Sequence, residues 1–425
     1  MLSAGRPPDV RQPPLPLLMA QMERMDKAPS PVAVFATIGG LYIAQSVIGG
    51  MTWTGLPAIM RDNGVSLDQI GLVSLIILPW ALKFLWAPAV ERFRLPPAGK
   101  TRTATIILGG GFLSVLCLLV IGFVDPGQVY LLLAILAVVA FATATVDIAC
   151  DGYAVQSLSP ENYGWGNAAQ VGGAYLGSAI GAGAFLILVD KAGWQVAIWT
   201  MAAVLVLLGL PFAVFSRGRD RVEDRPHTPS LLAAWRRPEM RRGLAAAAVY
   251  VIAQKAGLAM LGPFLIDAGL DLTTVGILNG AGSMFIGLAA ALAGGWLVRA
   301  FGVRGILVAA LLLQAFCFLF FALHSSDKNA GVVLIAVAVA SSSGVVALGF
   351  VALYAQFMHW SDPRQAGVDF TLFQCMDALI SMAGGVASGY VAQYFGYGPF
   401  FAGVGAIAIL AVPLIWKLCR PRLSH

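Results

Sequence analysis

The chain has 425 residues, of which 59% are hydrophobic and 11% charged, whereas soluble domains carry about 25% charged residues. So little charge cannot clothe a water-facing surface, which excludes a soluble globular protein and leaves the lipid bilayer as solvent. The net charge of +6 is carried mainly by basic residues lying between apolar runs, which sets membrane orientation and argues against a nucleic-acid-binding face.

Residues 1–31 are rich in proline, and their apolar stretch from Leu15 to Ala20 is short and broken by Pro16. That pattern is not a signal peptide. It predicts a disordered cytoplasmic tail, with Met19, Met22 and Met25 as alternative starts. Crossing the hydrocarbon core takes about 20 apolar residues. Such runs predict an all-α membrane protein with twelve spans, near residues 32–52, 67–90, 103–124, 128–150, 167–189, 194–215, 241–264, 274–298, 304–323, 331–356, 368–390 and 398–418. With the N-terminus inside, the inner segments hold 22 of the 27 basic residues. The outer loops hold only Arg61, Lys191 and Lys328, so both termini are expected in the cytoplasm.

The organisation that follows is a six-helix half over 32–215, a central cytoplasmic loop over 216–240, a second six-helix half over 241–418, and a tail over 419–425. The halves share a pattern. Asp62 to Gly71 and Asp267 to Gly276 both read D-x-G-[VL]-x-L-x-x-[IV]-G ahead of the second helix of each half, and Ile-Ala-Gln recurs at Ile43–Gln45 and Ile252–Gln254. Six plus six helices with a basic central loop is the plan of the major facilitator superfamily. Gly173, Gly177 and Gly181 in span 5, and Gly385 and Gly389 in span 11, predict close helix contacts.

Ionisable groups in apolar helices are expensive and mark functional sites by default. Lys83 lies deep in span 2 between Trp80 and Trp86, downstream of Pro79, where it can bind an anion or neutralise an aspartate. Asp147 and Asp151 stand four residues apart on one face of span 4, so their mutual repulsion and desolvation favour a proton on one of them. Lys255, beside Gln254 in span 7, corresponds to the place of Gln45 and Ser46 in span 1. Asp377 lies deep in span 11, with Gln374 one turn before it and Asp369 nearer the inner interface. Asp147, Asp151 and Asp377 are therefore the proton-coupling candidates. Lys83, Lys255, Gln45, Gln254 and Gln374 are the polar substrate-binding candidates. Trp53, Trp80, Tyr153, Tyr175, Tyr250 and Phe285 are the aromatic ones. The five cysteines show neither metal spacing nor a disulfide framework. The sequence has no phosphate loop, no H-E-x-x-H and no G-x-S-x-G, so the expectation is a secondary transporter that is not an enzyme and needs no cofactor or metal of its own.

Leu78 to Pro88, followed by Glu91-Arg92 and Gly99-Lys-Thr-Arg102, resembles the span 2 signature of AmpG-like permeases, with Gly294 to Arg299, Gly302 and Arg304 as the counterpart in the second half. The stretch Asp147 to Val155 with Gly166 to Gly173 resembles the RhtX/FptX siderophore permeases over roughly residues 35–420, although Val146 stands where related sequences often carry Gln. The resemblance implies a monomeric, multi-pass importer in a bacterial inner membrane. Its implied cargo is a ferric siderophore of the pyochelin type, proton-driven and fed by an outer-membrane TonB-dependent receptor, with muropeptide or another anionic metabolite as the alternative. It further implies a conformational latch from Glu91, Arg92, Arg102, Arg299 and Arg304.

Overall fold

A computed structural model describes residues 31–66, 69–70, 72–215, 227–270, 278–326 and 331–420. The expected N-terminal tail, most of the C-terminal tail, and parts of the repeated D-x-G segments lie outside them. Helix α1 runs through Pro31–Gly50, a π-helical turn Met51–Gly55, and Leu56–Asp62. Helix α2 comprises Leu72–Leu85 and Ala87–Arg94, bent by 62° at the break. Then follow α3 (Thr103–Ile121), α4 (Val129–Ser157), α5 (Pro160–Ala192) and α6 (Trp194–Phe215). The second half holds α7 (Pro238–Asp267), α8 (Gly280–Phe301), α9 (Val303–Leu323), α10 (Val332–Trp360), α11 (Pro363–Phe395) and α12 (Tyr397–Leu418). Among the described residues, ten of these are long and apolar enough to cross a membrane, and bent α2 makes eleven.

Prolines and glycines punctuate the chain as backbone chemistry requires. Pro160, Pro238 and Pro363 open helical segments, where a missing N–H costs nothing. Gly193, Gly302 and Gly396 take φ of 84°, 77° and 78°, which ends one helix and starts its antiparallel neighbour within a residue.

Several helices run past their apolar stretches. α4 continues beyond residue 150 to Ser157, and α5 begins at Pro160 rather than near 167. Helix α7 starts at Pro238, and a short helix Leu231–Arg236 occupies part of the predicted central loop. The extra turns of α4 carry Asp151 and Gln156, which find partners inside the protein, so hydropathy marks the hydrocarbon slab and not the helix end.

Three prolines explain the irregular stretches of α2 and α7. Each removes the hydrogen bond to the carbonyl four residues earlier. For Pro79 and Pro88 those residues are Leu75 and Phe84, inside the 3₁₀ segments Leu72–Ile77 and Lys83–Leu85. For Pro263 it is Ala259, inside Ala256–Met260. Lys83 opens one such segment and Lys255 immediately precedes another, so both lysines sit at helix discontinuities.

The glycine expectation holds for α5 and not for α11. A Cβ on Gly177 or Gly181 would strike the backbone carbonyl of Ile43 or Val47, so α1 and α5 touch backbone to backbone. Gly385 instead faces open space, and Gly389 has only the Met260 methyl near it.

One end of the bundle gathers the basic residues of the connections, and is called the basic end below. There α11 packs on the Leu78–Arg94 part of α2 and on α4. Cys375 Sγ lies 3.6 Å from the Trp80 carbonyl. Toward the opposite, distal end, Ile77 and Leu78 of α2 and Met382 and Val386 of α11 are exposed. Helices α5 and α8 stay together over most of their length, through Gly164 against Val298, Gly172 against Leu288, and Gly287 against Tyr175.

Candidate functional site

The first polar cluster lies where α1, α2, α4, α5 and α11 meet. Lys83 is 2% exposed, Asp147 6% and Asp151 0%. The Lys83 ammonium donates to Asp147 Oδ2 and to Gln374 Oε1 of α11, and it stands 4.0 Å from Asp151 Oδ2. Asp151 Oδ1 accepts from Tyr42 Oη at 2.6 Å and from Gln170 Nε2 at 3.5 Å. Lys83 therefore does not snorkel to the interface. It joins the two halves through Gln374.

The second cluster uses the next turn of the same helix. Lys255 Nζ lies 2.6 Å from Asp377 Oδ1 and 4.3 Å from the centre of the Phe350 ring. Asp377 also accepts from Ser381 at 3.1 Å and from Tyr354 at 3.3 Å. The Lys255 side chain keeps 30% of its surface exposed, so this cluster is less enclosed than the first. Because Gln374 and Asp377 are three residues apart on α11, one helix face addresses both lysines.

The aromatic candidates separate. Trp53 and Trp80 meet edge to face at 5.3 Å, with Trp53 exposed and Trp80 half-buried. Tyr153 packs edge-on to Phe212, within the N-terminal half. Tyr250 is fully buried and takes a hydrogen bond from Gln254, which is also fully buried. Tyr175 donates to the Ser343 carbonyl at the α5–α8 contact, and Phe285 is exposed. Gln45 lines a separate apolar crevice of about 270 Å³ between α1, α3, α4 and α6. None of these aromatic contacts reaches a lysine cluster, and Trp80 comes nearest through its backbone carbonyl on Cys375, next to Gln374.

A network at the basic end ties α2, α4 and α11 together. Glu91 pairs with Arg94, through two hydrogen bonds of 2.7 Å, and not with Arg92. Arg94 also holds Gln156 at 2.9 Å, and Gln156 donates to the Pro363 carbonyl at 2.6 Å. Glu91 Oε1 accepts from Gly367 N of α11. Arg92 reaches the Pro229 carbonyl, Arg102 lies over Phe93, and Arg304 lies over Trp416. Arg299 is exposed beside a polar pocket that also contains Glu161 and His359.

Arg237, just before α7, binds the buried Asp369 and the Trp360 carbonyl and lies 3.8 Å from Asp362. Burial pushes the Asp362 carboxyl up, but hydrogen bonds and charge from Arg364 outweigh it and hold the group below its ordinary value. Tyr42, Gln170, Tyr354, Arg94, Gln156 and Arg237 are the members that the sequence does not single out as site residues. For Arg94 a signal exists, the three-residue spacing from Glu91 on a helix.

A membrane-spanning bundle with lysine–aspartate pairs at its centre, in helices broken beside them, defines a secondary transporter. Residues 38–346 and 245–425 match the Major Facilitator Superfamily, and the chain belongs to that family, whose members are transporters and not enzymes. The chain is similar to the anhydromuropeptide permease of Escherichia coli, at 26% identity over 87% of this chain and 76% of the relative. Among solved structures it resembles the Escherichia coli fucose:proton symporter, with a TM-score of 0.69, 17% identity and coverage of 92% and 98% of the two chains. It also resembles a bacterial homologue of the iron transporter ferroportin in its outward-facing state, with a TM-score of 0.63, 14% identity and coverage of 90% and 98%. These structural likenesses establish the twelve-helix, two-half fold.

Proposed function

We propose that the protein is a proton-driven importer of an anionic, muropeptide-type solute across a bacterial inner membrane, working by alternating access between its halves. The observation that carries this reading is Lys83, buried between Asp147 of one half and Gln374 of the other. A cation so placed can exchange its carboxylate for a solute anion only if a proton compensates the freed charge. Lys255 with Asp377 offers a second anion contact one turn along α11. The basic end is the cytoplasmic one in this reading, and solute enters from the periplasm at the distal end. The muropeptide class is supported by the relative at 26% identity over most of the chain.

A second reading keeps the same mechanism with a ferric siderophore of the pyochelin type as cargo. It is favoured by the Trp53–Trp80 pair, which suits aromatic rings. Uptake into spheroplasts of a deletion strain, with and without the gene and a protonophore, separates the two. Gene-dependent, protonophore-sensitive uptake of labelled anhydromuropeptide supports the first reading. Uptake of labelled ferric pyochelin alone replaces it with the second, and uptake of neither ends both.

A further inference from the structure

Among the described residues, the buried ion pairs balance in charge except at one place. Glu91 pairs with Arg94 and Asp377 with Lys255, while Asp369 and Asp362 share Arg237 and Arg364. Around Lys83 stand two carboxylates and one ammonium. Asp147 takes the direct contact. Asp151, with no exposed surface, has an Oδ2 that accepts no well-formed hydrogen bond among the described residues, with the Gln374 side chain and the Lys83 ammonium as its polar neighbours.

Among the described residues, no element packed on Asp151 presents a second, uncommitted cation. Helix α1 presents Tyr42, α2 presents Lys83, α4 itself presents Asp147 and Cys150, and α5 presents Gln170. Gln374 of α11 and Tyr354 of α10 complete the surroundings. Arg94 packs against neighbouring Gly152 but is committed to Glu91. A net negative charge in so dry a place costs several kcal/mol and is relieved by neutralisation.

We infer that Asp151 holds a resident proton, and that a solute anion docking on Lys83 draws a second proton onto the displaced Asp147. The proton count follows from charge alone. One ammonium with two carboxylates is neutral with one proton. Adding a solute carboxylate to the same ammonium makes it neutral with two. The second proton enters from water on the open side with the anion and leaves with it on the other, so one proton accompanies each anionic charge seated on Lys83. Tyr42 and Gln170 act as positioning residues, because by donating to Oδ1 they leave Oδ2 of Asp151 to carry the proton. The second-proton step rests on the proposed anion transport, whereas the resident proton does not.

Infrared spectroscopy of the purified full chain at neutral pH tests the resident proton without any solute. Wild type is expected to show the carbonyl stretch of one protonated carboxylic acid in a dry site. Asp151→Asn should abolish it, and Lys83→Gln, which removes the only cation, should roughly double it. Absence of the band in wild type, including a sodium-dependent protein without it, overturns the inference even if a variant fails to fold. So does a band that survives in folded Asp151→Asn. Adding anhydromuropeptide should then raise a second band in wild type. Binding without that band overturns the coupling step, whereas failure to bind with the first band intact removes the proposed solute and leaves the resident proton standing.

Discussion

Glu91 of α2 accepts a hydrogen bond from the backbone N–H of Gly367 in α11 at 3.2 Å, which makes the N-terminal half a direct hydrogen-bond partner of the C-terminal half at the basic end. The contact requires glycine. A Cβ at position 367 would lie 2.6 Å from Glu91 Oε2 and 2.8 Å from the Ile148 carbonyl, and the carbonyl belongs to rigid helical backbone. Gly367→Ala should therefore part α11 from α2 and α4 and shift the population toward the state open at the basic end. Spin labels at the exposed positions Ser159 and Arg364 should report a distance distribution longer by several ångström. An unchanged distribution would show that the contact does not control the gate.

Among the described residues, Lys83 supplies the only positive charge to Asp147 and Asp151. Removing one member of a buried ion pair costs about 3–5 kcal/mol when the other stays charged. Lys83→Met should lower the melting temperature in detergent and abolish gradient-driven uptake of an anionic solute. Adding Asp147→Asn to it leaves Asp151 and its proton alone, so the double variant should regain much of the melting temperature without regaining uptake. Recovered uptake in the double variant would return Lys83 to a purely structural role.

The sequence displays the lysine–aspartate chemistry because a charge in an apolar run has few explanations, and the spacing of Asp147 and Asp151 places them on one helix face. It does not display which arginine closes the basic end. Arg92, Arg94 and Arg102 look alike in a polar stretch, and only the register of α2 turns Arg94 inward and sends Arg92 to the Pro229 carbonyl. The aromatics fail for a related reason. Tyr153 and Tyr250 have the same composition signal as Trp53, yet the first two pack on the core while Trp53 stays exposed, because helix rotation, and not residue type, decides which rings are covered. Asp369 reads as a residue near the membrane interface, and its burial follows from Arg237 arriving from a segment that hydropathy assigns to a loop.

Lys255 and Asp377 form a one-to-one pair with part of the lysine left uncovered by protein. Each single alanine variant should weaken uptake, and the double variant should lose less than the two singles combined. Because the lysine is partly uncovered, the coupling should fall in the lower part of the range of about 0.5–3 kcal/mol seen for contacting residues. Strict additivity in a double-mutant cycle on uptake affinity would show that the two residues act on solute separately.

Arg237 fastens the segment before α7 to the α10–α11 turn, while Arg92 fastens Pro229 of the same segment to α2. The segment thus touches both halves at the basic end, with His227 and Ser230 on Gln365 as further ties. Arg237→Ala leaves the fully buried Asp369 without its cation, so residues 227–237 should exchange amide hydrogens faster and the Ser159–Arg364 label distance should lengthen. Asp362 does not supply a pH switch at this point. Its carboxyl is held below the ordinary aspartate value, so its stabilising contribution is complete above that ordinary value and is lost only as pH falls through the lowered one. Exchange of the segment in wild type should accordingly show no Asp362-linked change between neutral and mildly acidic pH once the intrinsic rate is corrected. A protection step in that range that disappears in Asp362→Asn would assign the switch to Asp362 and displace Arg237 as the group that holds the strap.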